Sequence, residues 1–133
     1  MLRVKTVLFM LLVSTFFLPL PSFAERQSEP EKLEQLITKI NERQSKNIKN
    51  FKKKAEAYFF ETQSPEVIER LTKEFPPGEV VTIIVLSNLS KGPVKEIVKM
   101  RKTQMSWRDI AGQTGVKLKN MIKEVKDFRL GIG

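Results

Sequence analysis

Apolar side chains at Leu33, Leu36, Ile37, Ile40, Ile48, Phe51, Ala55, Tyr58 and Phe59 follow a spacing of three and four, with Gln44 and Asn47 interrupting on the same face. That spacing lines one side of an α-helix. It predicts a single long helix over residues 31–60, with Pro30 in its first turn and Ser28 or Glu29 near its cap. At about 1.5 Å per residue such a helix reaches about 45 Å. A chain this short cannot cover that length, so the front half is expected to project or to pack on a second copy.

The pattern continues through shorter elements. "SPEVIER" at 64–70 opens a second helix, with Ser64 as cap, Pro65 at the first position and Glu66 at the positive end. Val67, Ile68, Leu71 and Phe75 form its buried side, and "PPG" at 76–78 stops it. Residues 79–92 read "EVVTIIVLSNLSKG". By propensity this β-branched run suits a strand, but residues 25–133 hold no second run to pair with it. An unpaired buried strand leaves backbone amides unsatisfied, at about 1–3 kcal/mol each. A helix bonds its own backbone, so the run is expected to be a fully buried central helix ending on Gly92. The alternative is a strand completed across a dimer.

Pro93 restarts a helix that buries Val94, Ile97 and Val98, with Met100 beside them. Ser106 and Asp109 then have the spacing of a capping pair, and Trp107, Ile110 and Ala111 face inward. Gly115 ends that turn and Val116 closes it. A last helix over 117–128 buries Leu118, Met121, Ile122, Val125 and Phe128, and the tail "LGIG" is expected to fray. The sum is an all-α fold: a small bundle of about five helices with a long N-terminal helix and a helix-turn-helix-like unit over 93–128.

The first 24 residues do not fit that bundle. Arg3 and Lys5 precede an uncharged apolar stretch from Val7 to Leu18, followed by Pro19, Pro21 and the small residues Ser22 and Ala24. This is the layout of a secretory signal cut after Ala24. As a helix the apolar stretch rises about 18 Å, short of the roughly 30 Å of a bilayer core. Residues 25–133 are therefore expected to form one exported domain, periplasmic or secreted, with no transmembrane segment after the leader is removed.

Charge and missing residue types narrow the chemistry. The chain carries 24 Lys and Arg against 15 Asp and Glu, a net charge of +9, and has no cysteine and no histidine. Thiol nucleophiles, histidine bases and the usual zinc sites are thereby removed. Glu61, Glu66, Glu69 and Glu74 come with no base or nucleophile, and Ser87, Ser90 and Ser106 have no histidine partner. No enzyme activity, cofactor or metal is expected. The basic excess favours an anionic envelope surface or an acidic protein. On the predicted long helix, at about 100° per residue, Lys39, Arg43, Lys46, Lys49 and Lys53 fall within an arc of about 120°, flanked by Lys52 and Lys54. This strip is either a contact for an anionic partner or a solvated face.

"WRDIAGQTGV" at 107–116 looks like the corner of a helix-turn-helix, in which the last helix enters the DNA major groove. That resemblance implies that Lys117, Lys119, Asn120 and Lys123 would face DNA, although Leu118 and Glu124 depart from its pattern. The longer stretch "KMRKTQMSWRDIAGQTGV" resembles a box in small exported bacterial helical proteins of unknown function, of the form S-W-x-x-I-A-x-x-x-G-V. It implies a helical fold and export, and no activity. A DNA-binding regulator remains the rival if the N-terminus is not an export signal; a self-assembling module, such as a homodimer, is another. A C-terminally tagged chain expressed in a bacterium is expected outside the inner membrane and cleaved after Ala24. Mass spectrometry of the fractionated protein checks this, and an uncleaved cytoplasmic chain contradicts it.

Overall fold

The computed structural model describes residues 27–132, so the expected leader over 1–24 and its expected cleavage after Ala24 lie outside the described residues. Within them run seven helices and no strand: α1 Glu29–Gln44, α2 Ile48–Tyr58, α3 Pro65–Glu74, α4 Pro77–Ser90, α5 Val94–Lys102, α6 Trp107–Thr114 and α7 Leu118–Ile132. The all-α expectation holds, with seven helices rather than about five. None of the described helices is long and apolar enough to cross a membrane.

The predicted long helix is two helices. Asn47 leaves helical geometry at φ −149° and ψ 84°, and its Oδ1 accepts the Asn50 N–H at 3.0 Å. A short amide side chain that can replace a backbone acceptor favours a helix start over a helix interior. Ile48 consequently stands 38% exposed at the head of α2 instead of joining the core. Nothing projects as expected: α1 packs on α4 and α7, while α2 packs on α3 and α4.

Helix α4 is the centre. Val80 through Ser87 are buried without a break, and α1, α2, α3, α5 and α7 all pack against it. The helical reading of 79–91 is the observed one. Thr82, buried in this run, donates its hydroxyl to the Gly78 carbonyl at 2.7 Å, so its polar atom is satisfied within the helix. The left-handed residue that ends α4 is Lys91 (φ 58°, ψ 25°), not Gly92. Gly92 instead supplies the carbonyl that accepts from the Ser87 hydroxyl at 2.6 Å.

The expected caps are in place. Ser28, Ser64 and Ser106 accept the backbone N–H groups of Glu31, Val67 and Asp109. The C-terminal tail departs from expectation, because α7 continues to Ile132. Phe128 stacks on Phe59 at 5.3 Å and meets Tyr58 edge-on at 4.9 Å, Gly131 lies against the Tyr58 ring, and Ile132 packs on the core. Aromatic contacts of this kind contribute about 0.5–1.5 kcal/mol beyond area burial, enough to keep a last turn formed.

One glycine sets how closely α4 approaches α1. The Gly78 N–H donates to Asn41 Oδ1 at 2.6 Å. A Cβ at position 78 would overlap the Ile37 carbonyl oxygen and lie 2.9 Å from Asn41 Oδ1. A backbone oxygen cannot rotate away, so the helices would have to separate. Gly78→Ala is expected to destabilise the fold by about 1–3 kcal/mol, despite the roughly 1 kcal/mol gained in helix propensity. Thermal unfolding followed by circular dichroism measures this; an unchanged or raised melting temperature would show that the contact tolerates a methyl group.

Candidate functional site

The five cations of the basic strip sit on two helices and the link between them. Lys39 and Arg43 are one turn apart on α1, Lys46 lies in the connection, and Lys49 and Lys53 are one turn apart on α2. The break at Asn47 replaces the single straight arc inferred from a continuous helix. All five are exposed, and none has an ion-pair partner among the described residues. Flanking Lys52 differs. Its ammonium donates to Glu69 Oε2 at 2.8 Å, and this hydrogen bond is the main reason the Glu69 carboxyl is held below the ordinary carboxylate value.

The helix-turn-helix-like corner has the local geometry that its residues specify. Gly115 is left-handed at φ 72° and ψ 20°, and the Val116 N–H reaches back to the Ala111 carbonyl at 2.9 Å. Trp107, Ile110 and Ala111 are buried. Helix α6 packs on α5, whereas α7 packs on α1 and α4. Lys117, Lys119, Asn120 and Lys123 are exposed, but Lys123 donates to Asp127 at 3.2 Å, and that bond raises its pKa. Glu124 and Asp127 also put negative charge on the surface that would have to face phosphate.

Arg101 fastens this corner to the central helix. Its Nε donates to Glu79 Oε1 at 2.7 Å, a second nitrogen donates to the Met105 carbonyl at 2.9 Å, and the guanidinium lies 4.4 Å over the Trp107 ring. The buried Trp107 indole N–H has no acceptor among the described residues. The ring is therefore held by packing and by the cation above it.

A groove between α3 and α5 was not legible in the sequence. Both helices pack on α4, and the gap left between them encloses about 620 Å³. Its apolar lining is Val67 and Leu71 from α3 and Val94 and Val98 from α5. Gln63, Arg70, Lys73, Glu74 and Lys95 complete it. The pattern assigned all four apolar residues to the core; only Leu71 is fully buried there. The available signal was two i, i+4 apolar pairs beside unpaired cations on short neighbouring helices.

Among the described residues no three acidic side chains converge into a cluster that could hold a metal ion. Compared with protein-family models, curated proteins and solved structures, the chain matches none. Removing the Arg101 side chain leaves the half-buried Glu79 carboxylate and the Met105 carbonyl without their donor. Arg101→Ala is expected to cost about 1–3 kcal/mol and to shift the emission of the single tryptophan. Arg101→Lys should recover only part, because an ammonium lacks the planar fork needed to serve all three contacts. Urea unfolding read by tryptophan fluorescence tests both, and full recovery by lysine would rule out the planar fastening.

Proposed function

We propose that this protein is exported, has no enzymatic role, and binds an anionic envelope surface through Lys39, Arg43, Lys46, Lys49 and Lys53. The observation that carries the reading is five exposed cations on one stretch of chain, none with an ion-pair partner among the described residues. Neighbouring Lys52 shows that a partner is at hand where the fold uses a lysine internally. The strip runs along two helices and none of its residues lines the groove between α3 and α5. Charges spread along a surface suit an extended array of negative groups better than one compact anion. The leader over residues 1–24 supports the envelope as the place where such an array is met.

Each basic residue held near an anionic leaflet contributes about 1 kcal/mol, and the sum is screened by salt. Reversal of Arg43, Lys46, Lys49 and Lys53 to Glu is expected to weaken binding to vesicles containing anionic lipid by more than about a hundredfold. The same protein should bind zwitterionic vesicles weakly with or without the change. Co-sedimentation with vesicles, cell-wall polymer and DNA, at low and high salt, measures this. Binding to all three that ignores the reversal sinks the proposal, and strip-dependent binding to DNA alone would move the assignment to nucleic acid.

A further inference from the structure

We infer that the groove between α3 and α5 binds a single-chain anionic amphiphile: one short hydrocarbon tail carrying an anionic head. The site is separate from the basic strip and is argued from other residues.

The floor of the groove is apolar and its rim is polar. Val67 and Leu71 face Val94 and Val98 across the gap, and the three valines pack against the core while keeping part of their surface open. The enclosed volume, about 620 Å³, falls in the range of about 300–1,000 Å³ typical of small-molecule sites. Apolar surface of this shape favours a hydrocarbon tail by burial alone.

The rim then chooses the sign of the head group. Arg70, Lys73 and Lys95 border the groove against one carboxylate, Glu74. The Glu74 carboxylate is already held by Lys102 at 3.1 Å, and Lys102 is not a lining residue. Arg70 and Lys95 have no ion-pair partner among the described residues, and Lys73 reaches Glu69 only at 3.9 Å. The rim is thus net positive, with two cations uncommitted. An anionic head meets complementary charge there; a cationic head meets repulsion.

The length of the apolar floor separates a tail from a peptide. On each helix it spans residues i to i+4, about 6 Å at 1.5 Å per residue. A docked amphipathic helix spreads its anchors from i to i+7, or about 10 Å. At its Gln63 end the groove meets a polar wall, where Gln63 donates to Asn88 at 3.3 Å and Asn88 donates to Thr62 at 3.2 Å. An extended tail of about six carbons, with C–C bonds of about 1.5 Å, matches the short floor that remains.

The test is calorimetric titration of the full chain with hexanoate, beside hexyltrimethylammonium and an acidic amphipathic peptide. The expected result is saturable one-to-one binding of hexanoate, with the cationic amphiphile weaker by about tenfold or more. The double variant Arg70→Glu, Lys95→Glu alters exposed side chains only and should weaken hexanoate by about tenfold. Val94→Trp fills the groove and should abolish binding, with circular dichroism confirming the helices. Reversing the basic strip should leave hexanoate binding intact. The inference is overturned by absent or non-saturable hexanoate binding, by equal affinity for the cationic probe, by insensitivity to the groove variants, by loss in the strip variant, or by binding of the peptide alone.

Discussion

Helix α4 cannot face water on any side. From Val80 to Ser87 every position is buried, and the run includes Val80, Val81, Ile83, Ile84, Val85 and Leu86. Burying a branched aliphatic side chain contributes about 1.5–3 kcal/mol, so these six supply about 10–20 kcal/mol as an upper estimate. That is comparable to the whole net stability of a typical domain, about 5–15 kcal/mol. The other helices are arranged to provide the cover. Five of them touch α4 directly, and α6 is tied to it through Arg101, which joins Glu79 on α4 to Trp107.

Covering a helix on all sides with short amphipathic helices has two consequences for the surface. The first concerns charge. Each covering helix turns its polar side outward, and α1, α2 and the link between them carry the five cations of the basic strip. Lys52 lies near enough to α3 to pair with Glu69 and is withdrawn from the surface set. The second concerns shape. Helices α3 and α5 both lean on α4 and meet each other at the Glu74–Lys102 ion pair, so their shoulders leave a gap. Valine at positions 67, 94 and 98 is too short to close it, and the gap stays apolar inside and positive at the edge.

The corner around Trp107 shows how one set of residues serves folding and resembles a reading motif. Ser106, Gly115 and Val116 make a tight turn because their backbone geometry demands it. Tight turns between helices need the same residues whether or not the last helix meets DNA. The direction in which α7 packs makes the difference. Here α7 lies against α1 and α4, and its outer side mixes Lys123 with Glu124 and Asp127. The corner leads the chain into α7, which packs on α1 and α4.

Much of the fold was open to reading from local pattern. The caps at Ser28, Ser64 and Ser106, the left-handed Gly115, and the inward faces of α3, α6 and α7 all follow from interactions within a few residues. The helical state of 79–91 followed from a backbone argument, since residues 25–133 hold no second β-branched run to pair with it. The departures share another cause. The first helix breaks at Asn47, where the side chain caps a new helix, and the two halves then pack on α4 with different second neighbours. Residues near Ile132 stay helical because Tyr58, far away in sequence, receives Gly131 and Phe128. Lys91 takes the left-handed position ahead of Gly92, a choice of one residue that pattern cannot make. The amino-acid sequence by itself determined helix content, the caps and which residues shun water, because those depend on neighbours along the chain. Only the tertiary structure decided where the helices stop, which cations are left without partners, and that Val67, Leu71, Val94 and Val98 line a groove. Those depend on which surfaces meet, and that is settled by packing around α4.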